Sequence, residues 1–276
     1  MARQPLDGDR NFDDLAGRFK KNIYGGLKGD IRLAVLNRDF HQHIPIAPFA
    51  PEKAVKPLRI LDAGGGQGQF SLAFAEAGHQ LVICDISAEM LKLAEAEVAH
   101  KSLAGRVTLL HCAIQDLPAH LSDAHQGFDL VLCHAVIEWM LEPQTLLPCL
   151  LDYLRPEGYL SFTFYNLNSL VYKNLLRTNF KKILQQDFAG SRGSLTPINP
   201  MEPAVIDRWL ADLPLSILGR SGIRVFHDYI FDHENREREP ETVIALELQY
   251  SLQEPFLSLG RYIHILAVKR WELAAC

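Results

Sequence analysis

The chain has 276 residues, 48 % hydrophobic and 22 % charged, with a formal net charge of −5. That balance predicts one large domain with a packed core, and it excludes a protein that coats nucleic acid along its whole surface while leaving room for a local basic patch. No run approaches the roughly 20 apolar residues of a membrane helix, the opening "MARQPLDGDRNFDD" has no leader-type apolar segment, and five cysteines without regular spacing fit reduced thiols, so the chain reads as cytoplasmic.

Residues 11–42 read as helical, with Gly25 and Gly26 breaking them into two helices. Residues 45–57 carry four prolines (Pro45, Pro48, Pro51, Pro57) and read as a linker. A regular alternation then begins. Apolar strands are expected at 58–64, 80–87, 106–115, 128–136 and 156–166. Helical spacing fills 68–78, 88–101 and 142–154, with Gly78 as a C-cap and Ser87 as an N-cap. Two further strand-like runs, 221–230 and 260–270, flank a helical stretch at 239–253. Buried strands alternating with amphipathic helices imply a doubly wound α/β sheet covered on both faces. An insertion at about 166–220 carries Lys173, Arg177, Lys181, Lys182 and Arg192 against only Asp187 in its first half.

The segment "ILDAGGGQGQF", 60–70, follows the first strand and heads a helix. Its glycines read Gly64-x-Gly66-x-Gly68. The dinucleotide fingerprint G-x-G-x-x-G requires a third glycine where Gln69 stands. Asp62 also places negative charge where pyrophosphate is unwelcome. Asp85 ends the second strand and can hold a ribose diol, since an ionised carboxylate accepts several hydrogen bonds.

The Asp-x-Gly-x-Gly-x-Gly pattern resembles the first motif of class I S-adenosylmethionine-dependent methyltransferases. With "CDISAEML", "HCAIQDL" and "CHAVIEWM" placed, and with "RNFDDLAGRFKKNIYGGLKGDIR", "GIRVFHDY" and "GRYIH", the chain from about Arg10 to Lys269 is similar to the bacterial tRNA 5-carboxymethoxyuridine methyltransferases. That resemblance implies a seven-stranded, mostly parallel Rossmann-like sheet with an antiparallel C-terminal strand and helical additions. It divides the chain into an N-terminal helical cover, 1–50, and a methyltransferase domain, 51–276. It implies S-adenosyl-L-methionine as cofactor, with contacts at Arg32, Gly64, Gly65, Asp85, Ile114, Gln115 and His134. It implies a tRNA anticodon loop as partner, and esterification of the carboxylate of 5-carboxymethoxyuridine at wobble position 34.

A carboxylate with a pKa near 4 is already ionised at neutral pH, so no catalytic proton-transfer residue is expected. Candidates for holding the substrate are Tyr24, Tyr165, Asn166, Arg224 and His227. Arg224 and His227, three apart on an expected strand, should face opposite ways. The Cys and His residues ending the third and fourth strands invite a metal. Strand order 3-2-1-4 separates them by roughly 14 Å, too far for one ion, so no metal is expected. No membrane partner is expected, and a monomer is favoured. Alternatives are a small-metabolite methyltransferase, a non-catalytic S-adenosylmethionine-binding regulator and, last, a nicotinamide-dependent oxidoreductase.

Overall fold

Short apolar runs become strands because alternate residues reach opposite faces of a sheet that is covered on both sides. The computed structural model describes residues 9–13, 25–46, 48–49, 56–123, 126–186, 188 and 197–271. Its strands are β1 (Arg59–Ala63), β2 (Gln80–Asp85), β3 (Val107–His111), β4 (Phe128–His134), β5 (Leu154–Tyr165), β6 (Leu215–Ile223) and β7 (Tyr262–Lys269). They form one sheet in the order β3-β2-β1-β4-β5-β7-β6. Pairing is parallel from β3 to β5. Strand β7 runs antiparallel to both neighbours.

Neighbouring residues divide between two cores. Leu61, Val82, Val131, Phe162 and Ile265 pack on one face. Ile60, Ile83, Leu130, Leu132 and Leu266 pack on the other. The main helices are α1 (Leu27–His43), α2 (Leu72–Glu76), α3 (Ala88–His100), α4 (Leu146–Tyr153), α5 (Leu167–Leu176), α6 (Phe180–Leu184), α7 (Pro203–Ala211) and α8 (Pro240–Tyr250).

Helix α1 begins after Gly26, whose φ of 66° suits glycine. The first of the two expected N-terminal helices falls largely on 14–24, outside the described residues. Phe40 locks α1 to the sheet. It is fully buried, and its ring centroid lies 5.1 Å from that of Phe70 and 5.7 Å from that of Phe74. Burying such a side chain contributes about 1.5–3 kcal/mol. This packing sets the position of Arg32, two turns earlier on the same helix.

The expected strand at 221–230 is corrected. Strand β6 occupies Leu215–Ile223, and the chain then turns. Arg224 has φ 58° and His227 opens a single 3-10 turn, His227–Tyr229. The two residues therefore do not alternate across a strand. The insertion accordingly ends near 214 rather than 220. It leaves the sheet through α5 and α6 and returns at an isolated parallel bridge between Asn166 and Met201.

Candidate active site

In an open parallel sheet the crevice opens beyond the carboxyl ends of the strands, where strand order reverses. Here that point lies between β1 and β4. The glycine loop fills it with backbone alone. Gly64 has φ +69°, and a Cβ there would come within 2.5 Å of Val136 Cγ2. Gly66 has φ +55°, and a Cβ there would meet Met90 Cε at 2.8 Å. Any side chain at either position intrudes on the space the loop leaves free.

Asp85 is fixed across this loop. Its Oδ2 accepts from the Gly66 N–H at 2.8 Å and its Oδ1 from the Ser87 N–H at 2.8 Å. Burial pushes its carboxyl up, and the two N–H bonds pull it back. Each oxygen keeps a lone pair for a ligand. Ser87 also caps α3, accepting from the Met90 N–H.

Beyond Asp85 lies a cleft with about 730 Å³ of space, part of it open to solvent. Ile86, Met90, Ile114, Val136, Trp139 and Met140 make its walls apolar, and Gln115 and His134 add polar edges. Residues 9–13 border this cleft. Phe12 meets Trp139 edge to face at 4.8 Å, the Arg10 N–H donates to the Trp139 carbonyl at 3.0 Å, and Asn11 Nδ2 donates to the Ile86 carbonyl at 2.9 Å. Sequence reasoning did not place Asp9, Arg10 or Phe12 in the site. Nothing in their spacing marks them, because their partners are remote in the chain.

A smaller chamber adjoins the first and shares Gly64 and His134 with it. Arg32, Leu33, Leu36, Asp62, Gly65, Gln69 and Phe70 complete it. Arg32 is buried, with its guanidinium 5.4 Å from the centre of the Tyr262 ring. Asp62 is buried beneath Gly65. Burial, with Asp85 nearby, pushes its carboxyl up to about 6, against the pull of Ser71 and Arg32.

His134 is held from behind. Its Nε2 lies 2.7 Å from Ser161 Oγ, which lies 2.9 Å from His264 Nε2. His264 Nδ1 is 2.7 Å from Asp39 Oδ2. Burial opposes the charge on Asp39, but His264 and Arg38 hold its carboxyl below the usual range. Burial, with Arg32 beside it, pushes the His134 imidazole well below its ordinary pKa. His134 is thus neutral at physiological pH, oriented by a buried chain rather than free to shuttle protons.

The remaining candidates lie elsewhere. Tyr165 accepts at its hydroxyl from Arg261 Nη1 at 2.8 Å, and Arg261 Nε donates to Asp228 at 2.7 Å. Arg224 approaches the same carboxylate at 3.7 Å and stacks 5.4 Å from the Tyr262 ring. Tyr262 is therefore a ring that Arg224 and Arg32 both approach. Asn166 is committed to structure: it donates to the Ser258 and Gly260 carbonyls at 2.9 and 2.8 Å and caps α5. His227 is fully buried 3.5 Å from Asp228 and lines neither chamber. Tyr24 lies outside the described residues. Among the described residues no three His, Cys, Asp or Glu side chains gather to hold a metal.

Residues 61–162 match the family model described as a methyltransferase domain. Over 261 residues the chain is 40 % identical to the tRNA 5-carboxymethoxyuridine methyltransferase of Escherichia coli (strain K12), covering 95 % of this chain and 97 % of that one. It is 28 % identical over 171 residues to the mitochondrial ubiquinone biosynthesis O-methyltransferase of Bos taurus, covering 59 % of this chain and 44 % of that one. The fold matches the magnesium protoporphyrin IX methyltransferase from Synechocystis PCC 6803 with bound SAH, at a TM-score of 0.57 and 19 % identity, over 94 % of this chain and 96 % of that one. The near-complete overlap with the Escherichia coli protein extends beyond the shared sheet to the N-terminal segment and the insertion, and on that evidence the chain belongs to the tRNA 5-carboxymethoxyuridine methyltransferase family of class I S-adenosylmethionine-dependent methyltransferases.

Proposed function

We propose that this protein esterifies the carboxylate of 5-carboxymethoxyuridine at the wobble position of tRNA. The observation that carries the reading is full-length similarity to an enzyme of that name, combined with a two-chambered site whose side chains suit S-adenosylmethionine. The larger chamber suits the adenosine, with Ile114 and Gln115 along the base and Asp85 on the ribose hydroxyls. The smaller suits the methionine end, with Arg32 for its carboxylate and the loop backbone at Gly64 and Gly65 close by. When bound, the cofactor supplies an electrophilic methyl on a sulfonium and leaves as a neutral thioether.

The chain's own work is then electrostatic and geometric. Asp62, buried, and Asp85, partly buried, favour a cationic ligand over an anionic one. His134, neutral and tethered through Ser161, holds the wall between the chambers. No side chain needs to take a proton, because the acceptor carboxylate is already ionised. Orientation and removal of water supply the acceleration, and orientation alone is worth up to about 7–11 kcal/mol in favourable cases. Tyr165 and Arg224 are the candidates for the substrate side. Residues 1–50 act as a cover over the domain formed by 51–276. The reading also implies a cytoplasmic enzyme.

The test takes tRNA from a strain lacking the protein, adds purified enzyme and S-adenosylmethionine, and resolves the digested nucleosides by mass. Conversion of 5-carboxymethoxyuridine to its methyl ester is expected. No conversion with cofactor binding intact overturns the substrate assignment. Turnover at saturating substrate should stay level from about pH 6 to 9, since the acceptor titrates near 4.

A further inference from the structure

The hairpin formed by α5 and α6 is not used by the cofactor site. Its residues 166–186 carry Lys173, Arg177, Lys181 and Lys182 and no acid, in a chain with 28 basic and 33 acidic residues. Between this hairpin and the end of β5 lies a cleft with about 640 Å³ of space, part of it open to solvent. Tyr165, Lys173, Asn174, Arg177, Lys182 and Arg261 line it, and each can donate a hydrogen bond.

Among the described residues around Lys173 the cations outnumber the acids, with Arg177, Arg224 and Arg261 against Asp228. Asp228 is shared between Arg261 at 2.7 Å and Arg224 at 3.7 Å, so one carboxylate serves two guanidiniums. Lys173 is half-buried beside them. Burial, with Arg261, Arg177 and Arg224 adding to it and Asp228 opposing, pushes its ammonium down to about 8. An incoming anion would relieve that penalty.

The neighbours of the cations identify the kind of anion. Tyr172 and Phe180 are 38 % and 55 % exposed on the same hairpin. Tyr172 is braced edge-on against Tyr229, with centroids 5.2 Å apart. Exposed rings beside lysines and an arginine are what unstacked RNA bases and their phosphates require. A small anionic metabolite would leave the rings unused. The cleft also lies beside the chemistry: Tyr165 packs edge-on against Tyr262, the ring that Arg32 faces from the cofactor side.

We infer that this cleft binds the phosphodiester backbone of the anticodon loop next to the wobble nucleotide, through Lys173, Arg177 and Lys182, with Tyr172 and Phe180 beneath adjoining bases. The inference rests on the tRNA reading above and names the surface that carries it.

The test uses the full chain and its variants Lys173→Gln, Arg177→Gln, Lys182→Gln and Lys173→Arg. Binding is measured over a range of salt to tRNA carrying 5-carboxymethoxyuridine and to the same tRNA with 5-hydroxyuridine. Each Gln variant should weaken both tRNAs equally, by about three- to tenfold, and lower the salt slope by about 0.7–0.9 for every phosphate that is no longer neutralised. Lys173→Arg should restore binding, and S-adenosylmethionine affinity should hold throughout. Arg177 and Lys182 are exposed, so weaker binding there does not reflect unfolding. Unchanged salt slopes in an enzyme that still esterifies tRNA overturn the cleft alone. Weakening confined to the carboxylated tRNA makes the cleft a clamp for the substrate carboxylate and also overturns the inference. A wild-type protein that binds S-adenosylmethionine but neither binds nor esterifies tRNA overturns the tRNA reading and the cleft with it.

Discussion

Two buried carboxyls make the protein sensitive to pH in opposite ways. Asp62, pushed up to about 6 by burial, is ionised at neutral pH and protonated below. A cationic cofactor loses a counter-charge as Asp62 protonates. Wild-type affinity for S-adenosylmethionine should therefore fall by up to about tenfold between pH 6 and 5, and titration calorimetry should show a flatter profile for Asp62→Asn. Glu138 is fully buried, and burial pushes it up to about 7 from a reference of 4.5. Its folded pKa exceeds its unfolded one. The native state thus binds the extra proton, and the resulting stability is present below about pH 4.5 and lost as pH rises through 7. Glu138→Gln should raise the stability at pH 8 by about 2–3 kcal/mol, a gain of several degrees in Tm that shrinks toward zero at pH 4.5. The spacing "CHAVIEWM" puts Glu138 just after β4 but cannot show that it points inward, because a 3-10 turn, Ile137–Trp139, follows the strand. The positions of Asp62 and Asp85 around the glycine loop, by contrast, can be read directly, since both stand in or at the end of short apolar strands that flank it.

At the scale of elements, the parallel half of the sheet is legible in the sequence and its far edge is not. Strands β1, β2 and β4 are buried on both faces and read as plain apolar runs. Strand β6 pairs only with β7 and is irregular between Ile217 and Gly219. Several of its residues are partly exposed, including Arg220. Its apolar signal is therefore weaker than that of "SGIRVFHDYI", which draws the expected strand too far along. The same difficulty affects Asn166. In the sequence it follows a strand at the mouth of the cleft and reads as a substrate ligand. Its side chain instead ties the start of α5 to the helical turn Phe256–Leu259 and to Gly260 after it. Asn166→Ala removes both donors and the cap, stranding the Ser258 and Gly260 carbonyls. A destabilisation of about 2–4 kcal/mol is expected. Thermal unfolding with and without S-adenosylmethionine checks this: Tm should drop in both cases, while cofactor affinity at low temperature stays near wild type.

Taken whole, the molecule separates its charges by function. Acids predominate overall, and two of them, Asp62 and Asp85, line the adjoining chambers at the glycine loop, while residues 166–186 of the α5–α6 hairpin carry four cations and no acid. The two regions meet at the Tyr262 ring, which both Arg32 and Arg224 approach at 5.4 Å. Composition states only that a basic patch is allowed. It cannot say that α5 and α6 fold it over the end of β5, because that depends on Met201 returning to pair beside Asn166.

The place of β7 has a consequence for how the protein comes into being. The last of the described strands is an interior strand, lying between β5 and β6. It also brings Tyr262, which faces Arg32, and His264, which completes the tether behind His134. While the chain is still emerging from the ribosome, the glycine loop and Asp85 are made early, but β6 cannot join β5 in one sheet until residues near 269 are free. A chain that stops before β7 thus holds the recognisable motif but lacks the ring that Arg32 approaches and the imidazole behind Ser161, so the groups that position Arg32 and His134 arrive only with that strand.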